Sequence, residues 1–316
     1  MQKYVVDSRS LSPIAELPAA PVYLIDLASA PRNPEELKLP GCPVIGFGDA
    51  NHPLATQMDA LILEPASLET CVARVQGNPM AAAITVQLLR QLPHQSLEQG
   101  LWSESLAYAV LQGSAEHRRW LAAQPAPHAT KDGAVRLQRE NARLTITLDR
   151  AEAGNAIDRA IRDALREALA LAALDETIEI VRLRGEGKTF SLGADLAEFG
   201  TTNDPASAHE IRLRSLPAWE AIRCAEKLEA HIDGACVGAS LELAAFARRV
   251  TATPRSWFQL PELSMGILPG AGGCVSLTHR IGRQRTAWLV LTGKRVSARE
   301  ALALGLIDAI VEDEPA

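Results

Sequence analysis

Lys188-Thr189-Phe190-Ser191-Leu192-Gly193-Ala194-Asp195 and Asp233-Gly234-Ala235-Cys236-Val237-Gly238-Ala239-Ser240-Leu241-Glu242 are the stretches that decide the fold of this 316-residue chain. In each, small residues crowd together where an apolar strand feeds a helix. The start of a helix exposes unpaired N–H groups and a partial positive charge. Two such starts facing one another form an oxyanion hole, whose N–H groups stabilise negative charge developing on a carbonyl oxygen. Small residues let a ligand and the backbone approach closely. Either loop alone also fits an ordinary structural turn, so the neighbouring carboxylates matter.

Glu242 stands in the first turn of an otherwise apolar helix, Leu241-Glu242-Leu243-Ala244-Ala245-Phe246-Ala247. Glu262 follows Pro261 in Trp257-Phe258-Gln259-Leu260-Pro261-Glu262, shortly before Gly266-Ile267-Leu268-Pro269-Gly270-Ala271-Gly272-Gly273. Taken singly, Glu242 fits a carboxylate set against a helix dipole, and Glu262 a charge on a surface loop. A carboxylate beside an apolar wall can have its pKa raised toward the working pH, as general acid–base catalysis requires.

Outward from these loops the pattern alternates strand and helix, the mark of parallel sheets with helices packed outside. Gly133–Gln138 and Leu144–Leu148 read as a hairpin joined by a polar turn over Arg139–Arg143. Asp158 caps a predicted helix running to Leu174, with Ile161, Leu165, Leu169 and Ala172 on one face. A strand over residues 178–183 follows, then a long helix predicted from Ala206 to about Cys224. Strand Leu228–Ile232, a turn at Gly234–Gly238, a helix from Ala239 to Ala247 and strand Arg249–Thr253 complete the run. Upstream, Val22–Leu27 and Val44–Phe47 read as strands, and residues 66–123 as helical, with apolar spacing clear in Ala81–Leu92 and Leu97–Leu111. Gln124–Gly133, rich in Pro and polar residues, is the best linker candidate.

Bulk composition fits a soluble α/β protein: 47% hydrophobic and 22% charged residues, with only 4% aromatic, so the core is built mainly from Ala, Leu, Val and Ile. A net charge of −6 argues against a nucleic-acid partner. The N-terminus has no apolar run with a cleavage site, and no stretch is long enough to span a membrane, which favours a cytoplasmic location. Five widely spaced cysteines without a CxxC pair read as reduced structural thiols, and no metal set is expected.

The ordered run Asn155-Ala156, Lys188–Asp195, Asp233–Glu242, Phe258–Glu262, Gly266–Gly273, Leu291-Thr292-Gly293 and Ser297–Leu306 resembles the crotonase (enoyl-CoA hydratase/isomerase) superfamily. The resemblance implies an α/β fold, a crotonase-like spiral of ββα turns with a helical trimerisation and lid region. It also implies an acyl-CoA thioester as substrate, no separate cofactor, and a homotrimer or hexamer. By position Ala194 and Ala239 would donate the oxyanion-hole N–H groups. Ala153, Ala156, Ser191, Leu192, Gly193, Asp195, Gly238 and Gly270 would contact the CoA or acyl group. Glu242 and Glu262 match both glutamates of the hydratase branch. There Glu242 would orient and deprotonate a water that adds to C3, while Glu262 would supply the proton to C2. Isomerases of the superfamily tend to keep only the second carboxylate, so having both favours hydration. Three departures bear on the substrate: Gly238-Ala239-Ser240 replaces the usual triple glycine, Leu228 lacks the usual preceding proline, and Leu192 replaces a smaller residue.

Superfamily members usually continue past the segment matched by Gly305–Val311 into helices that cover the site. Here residues 61–128 are similar to that tail, in Asn78–Ala82, Leu88–Arg90, Glu104–Tyr108 and Ser114–Leu121. The expected organisation is an N-terminal extension over 1–60 without a family match, a helical region over 61–128 displaced ahead of the core, and the core over 129–316. Other chemistries of the superfamily (isomerisation, thioester hydrolysis, decarboxylation) remain open, as does a non-catalytic acyl-CoA-binding or assembly role. Arg280, Arg283 and Arg285 read as a solvated helix face, His231 as a packed core histidine and His52 as a turn residue. Ser240 lacks a nucleophile-elbow context.

Overall fold

A computed structural model of the chain describes residues 1–11, 20–32, 37–125, 131–202 and 204–312. Strands β1 (Tyr23–Asp26), β2 (Val44–Phe47) and β3 (Ala60–Leu61) pair in parallel in that order. Alternation along them serves two sides. Leu24, Ile45 and Ala60 join the main core, while Ile25 and Val44 pack with Leu27, Leu54, Ala55 and Met58 in a smaller cluster. A sheet buried on both faces accounts for the unbroken apolar runs.

Four helices follow: α1 (Pro65–Gly77), α2 (Pro79–Gln91), α3 (Leu97–Gln112) and α4 (Ala115–Ala122). Ser96 and Gln99 form a reciprocal capping box at the start of α3, and Ser114 caps α4. The Glu116 carboxylate accepts from Met80 and Ala81 N–H, 2.8 and 2.9 Å, and so closes the start of α2. The linker candidate falls in part on residues 126–130, outside the described residues.

The hairpin of β4 (Ala134–Glu140) and β5 (Arg143–Asp149) turns at Asn141-Ala142, tighter than the predicted polar turn, with Asn141 at φ 54°. Helix α5 (Arg159–Leu174) is capped by Asp158 as expected, and β6 (Ile180–Gly185) pairs parallel to β5. The long helix expected from Ala206 is instead two: α6 (Pro205–Ser215) and α7 (Ala218–Arg223). Pro217 is the reason, since it removes an N–H and biases Leu216 out of the helical region; Leu216 sits at ψ 125°. Next come β7 (Leu228–Ile232), β8 (Ala235–Val237), α8 (Ala239–Ala244), β9 (Arg249–Ala252), β10 (Trp257–Gln259) and the 3-10 turn Glu262–Met265. Strand β8 corrects the expected Gly234–Gly238 turn: three residues between the glycines pair parallel to β10. Then come α9 (Gly273–Ile281), α10 (Arg283–Thr292), β11 (Val296–Ser297), α11 (Ala298–Leu304) and β12 (Ala309–Ile310), the last elements among the described residues.

The strands form a six-stranded sheet in order β12-β9-β7-β6-β5-β4 and a three-stranded sheet β11-β10-β8. Two turns of the spiral place one strand in each sheet and then a helix: β7, β8, α8, and after it β9, β10, α9. Helix α3 lies against α6 and α9, α1 and α2 lie against α10, and α4 lies on the Glu262–Met265 turn. Arg280, in the last turn of α9, and Arg283, at the start of α10, are partly buried and engaged rather than a solvated face, while Arg285 is exposed as expected. Arg280 donates to Leu306 and Ala247 carbonyls and pairs with Asp308. Arg283 donates to Met58 and Gln57 carbonyls and Arg285 to that of Leu304, so this row staples chain segments together. All five cysteines are free and buried. No helix among the described residues is long and apolar enough to cross a membrane.

Candidate active site

Two loops distant in sequence are laced side by side by backbone hydrogen bonds. Ser191 N–H donates to the Ala235 carbonyl and Val237 N–H to the Ser191 carbonyl, 3.0 and 3.1 Å. Ser240 Oγ lies 3.1 Å from the Ser191 carbonyl and accepts from Val237 N–H, so this hydroxyl is engaged in holding the loops. Asn155, fully buried at φ 53°, donates to the Glu186 and Thr189 carbonyls and accepts from Arg150 N–H, which anchors the first loop from behind. Ala194 and Ala239 emerge together on a cavity of about 650 Å³, and neither N–H bonds to any described residue. Ala239 is the first residue of α8, where helical N–H groups are unpaired.

The cavity is also lined by Leu192, Gly193, Asp195, Gly238, Gly270, Glu242 and Glu262. Three residues expected at the ligand, Ala153, Ala156 and Ser191, do not line it. Ser191 is fully buried and its hydroxyl accepts from Gly193 N–H. Asp195 pairs with Arg150 at 2.7 Å while reaching the cavity wall.

The two glutamates differ in their surroundings. Glu242 Oε2 accepts from Ala271 and Gly273 N–H, 2.6 and 2.8 Å, at the turn leading into α9. Burial pushes its carboxyl up to about 7, with those two N–H groups holding it from rising further. Glu262 lies on the 3-10 turn, and its Oε2 is buried without a partner among the described residues. Burial first, and then the Glu242 charge, raise its carboxyl well above the ordinary carboxylate range. Gly238 makes room for it: at φ 51°, a Cβ there would stand 2.6 Å from Glu262 Oε1. Burial therefore favours the protonated form of Glu262, while Glu242 is raised to about 7. Two carboxyls with separated proton affinities can act as base and acid in one turnover.

Residues from the helical region complete the cavity. Tyr108, Gln112 and His117 line it together with Arg212 from α6. The Tyr108 ring occupies the space above Gly270, where a Cβ would fall 2.0 Å from the ring. Arg212 stacks over that ring at 4.3 Å and donates to Ser105 and Gln112, tying α6 to α3. His117 Nδ1 donates to the Met265 carbonyl at 2.9 Å, and burial lowers its pKa, which favours the neutral ring. Tyr108 and His117 fall in the Glu104–Tyr108 and Ser114–Leu121 segments likened to the tail, but nothing in the spacing of any of the four singles it out as a cavity residue.

Residues 138–315 match the family model for enoyl-CoA hydratase/isomerase. The chain is 32% identical over 175 residues to 2,3-dehydroadipyl-CoA hydratase of Escherichia coli (strain K12), covering 55% of this chain and 68% of that protein. It is 36% identical over 160 residues to the peroxisomal bifunctional enzyme of Danio rerio, covering 50% of this chain and 21% of that one. Among solved structures, enoyl-CoA hydratase from Thermoplasma volcanium GSS1 superposes with a TM-score of 0.52 at 36% identity, covering 57% of this chain and 72% of that one. An enoyl-CoA hydratase-like protein from Thermobifida fusca YX, solved in complex with CoA, gives 0.52 at 25% identity over 57% and 72%. The chain belongs to the enoyl-CoA hydratase/isomerase family and has the crotonase fold. The residues that the helical region adds to the cavity lie outside the matched segment.

Proposed function

We propose that this protein adds water across the 2,3-double bond of an acyl-CoA thioester. The observation that carries the reading is the meeting, in one cavity, of two buried glutamates in unlike environments and two backbone N–H groups with no partner among the described residues. Glu242 takes a proton from water as its oxygen bonds to C3. The electron pair of the double bond moves toward the thioester, whose carbonyl oxygen is held by Ala194 and Ala239 N–H. Glu262 delivers its proton to C2, and the carboxyls then exchange a proton to restore the starting state. Acyl-CoA is the substrate and no further cofactor takes part. The hydratases among the relatives, and the neighbour solved with CoA, support this substrate class.

Incubation with crotonyl-CoA tests the reading. The 2,3-enoyl absorbance is expected to disappear, with the product heavier by one water. Below pH about 7, kcat/KM is expected to fall about tenfold per pH unit as Glu242 takes up a proton. It falls again at high pH, where Glu262 loses the proton it must donate. Unchanged mass with a shifted double bond would mean isomerisation, and released free thiol would mean hydrolysis. Tight binding of enoyl-CoA of every chain length without turnover would mean an assembly role.

The oxyanion hole can be tested by one atom. Proline is tolerated at the first position of a helix. Ala239→Pro therefore removes one N–H while α8 is kept, and kcat is expected to drop by roughly 10²–10³-fold. A drop smaller than fivefold would mean that this N–H does not hold the thioester oxygen.

A further inference from the structure

Three buried carboxylates gather around the cavity and the turn that opens α9, and hydration as proposed uses only two. The third is Glu104, in the middle of α3 and 1% exposed. Its partners are all backbone groups. Oε1 accepts from Gly272 N–H at 2.7 Å, and Oε2 from Cys274 and Val275 N–H at 2.8 and 3.3 Å. Glu242 takes the alternate groups of the same turn, Ala271 and Gly273. Five consecutive N–H groups are thus divided between two carboxylates that reach in from different helices, α8 and α3.

A serine or threonine would suffice to cap α9. Placing a second acid there incurs a desolvation cost and sets two carboxyls against each other. That cost has a geometric return. Holding Gly272, Cys274 and Val275 fixes the peptide planes of the turn, so Ala271 and Gly273 N–H both point at one oxygen of Glu242. Its other oxygen then has no partner among the described residues and is left for water. The charged and titratable groups that face Glu104 are Glu242 from α8, Cys274 from α9 and Arg212 from α6. Tyr108 stands one turn further along α3, and His209 of α6 bonds the neighbouring Ser105.

We propose that Glu104 is a positioning residue for the hydration site, locking the Gly270–Val275 turn so that Glu242 is held by two N–H groups and keeps one oxygen for the water. The inference rests on the hydratase reading for its kinetic consequences, and on the hydrogen bonds alone for its structural ones. It also means that the helical region, outside the family-matched segment, sets the chemistry of the core's first glutamate.

Glu104→Gln keeps the size of the side chain but turns an N–H₂ group toward an N–H of the turn. Kcat for the turned-over enoyl-CoA is expected to fall ~10- to 100-fold, as misplacement of a reacting group does. KM stays close to that of the parent, because Glu104 touches no substrate. The acid limb of the pH profile moves to higher pH, since the Ala271 and Gly273 N–H groups that hold the Glu242 carboxyl down are no longer aligned on it. Glu104→Asp keeps the carboxyl and loses reach, so kcat falls and the acid limb moves in the same direction. A support role for folding alone would lower thermal stability and leave the acid limb of Glu104→Gln in place; that result, or parental kcat in both variants, overturns the proposal. If Glu104→Gln does not fold, parental kcat in Glu104→Asp overturns it. If the parent turns over no enoyl-CoA, the hydratase reading falls by itself. Infrared titration of the carboxyl band lost in Glu242→Gln then decides: it must titrate at higher pH in Glu104→Gln, and an unmoved band overturns the inference.

Discussion

Glu262→Gln is expected to lower kcat/KM for an enoyl-CoA by roughly 10²–10⁴-fold, the range for losing a general acid. The substitution is nearly isosteric, and the cavity around Glu262 Oε1 is shaped by Gly238 rather than by a partner side chain. Glutamine fills that space and binds water, but it has no proton to give to C2. Substrate affinity should therefore change little, which separates a lost proton transfer from a lost contact. Stability supplies a second readout with a definite sign. The folded Glu262 carboxyl binds its proton more tightly than the unfolded one, because burial and Glu242 disfavour the anion. The folded state thus holds more protons than the unfolded state above the ordinary carboxylate range, and stability falls as pH rises from there toward the folded pKa. Glutamine removes this loss, so at pH 8 the variant should melt no lower than the parent. Retention of activity within tenfold, measured with crotonyl-CoA or a longer enoyl-CoA, would remove Glu262 from the role of acid.

The part of this site that could be read in the sequence is the part held in short, ordered segments. Ala194 and Ala239 follow glycines in loops crowded with small residues, Glu242 interrupts an apolar helix, and Glu262 stands between Pro261 and a glycine-rich turn. Each is unusual against its immediate neighbours, and the cavity gathers all four. Tyr108, His117 and Glu104 are not unusual in that way. They stand in helices with ordinary apolar spacing, and Glu104 meets Gly272 from 168 residues away. A lone acid in a helix is a surface charge by default, so only the fold reveals that this one is buried. The helix predicted through residue 224 failed on a local cue that was present: Pro217 outweighs the apolar periodicity around it. Strand β8 was hidden for another reason. Three residues between two glycines carry no alternation to read, and their pairing with β10 is a tertiary event. Arg280 and Arg283 show the same limit, since spacing on a helix cannot tell whether carbonyls from other segments wait opposite.

A chain that begins at Gly133 is expected to give no cooperatively folded protein and no turnover. We read residues 61–128 as standing in for the family's C-terminal helices, moved ahead of the core, and their packing supports that. Leu89, Leu101 and Leu111 of α2 and α3 are buried in the same core cluster as Leu277, Leu289 and Val290 of α9 and α10. Fully burying such a side chain contributes about 1.5–3 kcal/mol. Baring the core's side of this contact therefore removes an amount comparable with the ~5–15 kcal/mol that separates a folded domain from its unfolded state. The loss is chemical as well as mechanical. Without α3 the Gly270–Val275 turn loses the Glu104 acceptor, and without α4 the Glu262–Met265 turn loses the His117 contact. Supplying residues 1–125 as a separate chain should restore both, because a covered site needs the helices in place and not the peptide bonds that join them. Urea unfolding of the shortened chain, alone and with the added fragment, makes the comparison, with enoyl-CoA turnover measured alongside. If residues 133–316 alone unfold in one cooperative transition and hydrate enoyl-CoA at the full chain's rate, the helical region is an appendage and not the missing wall of the site.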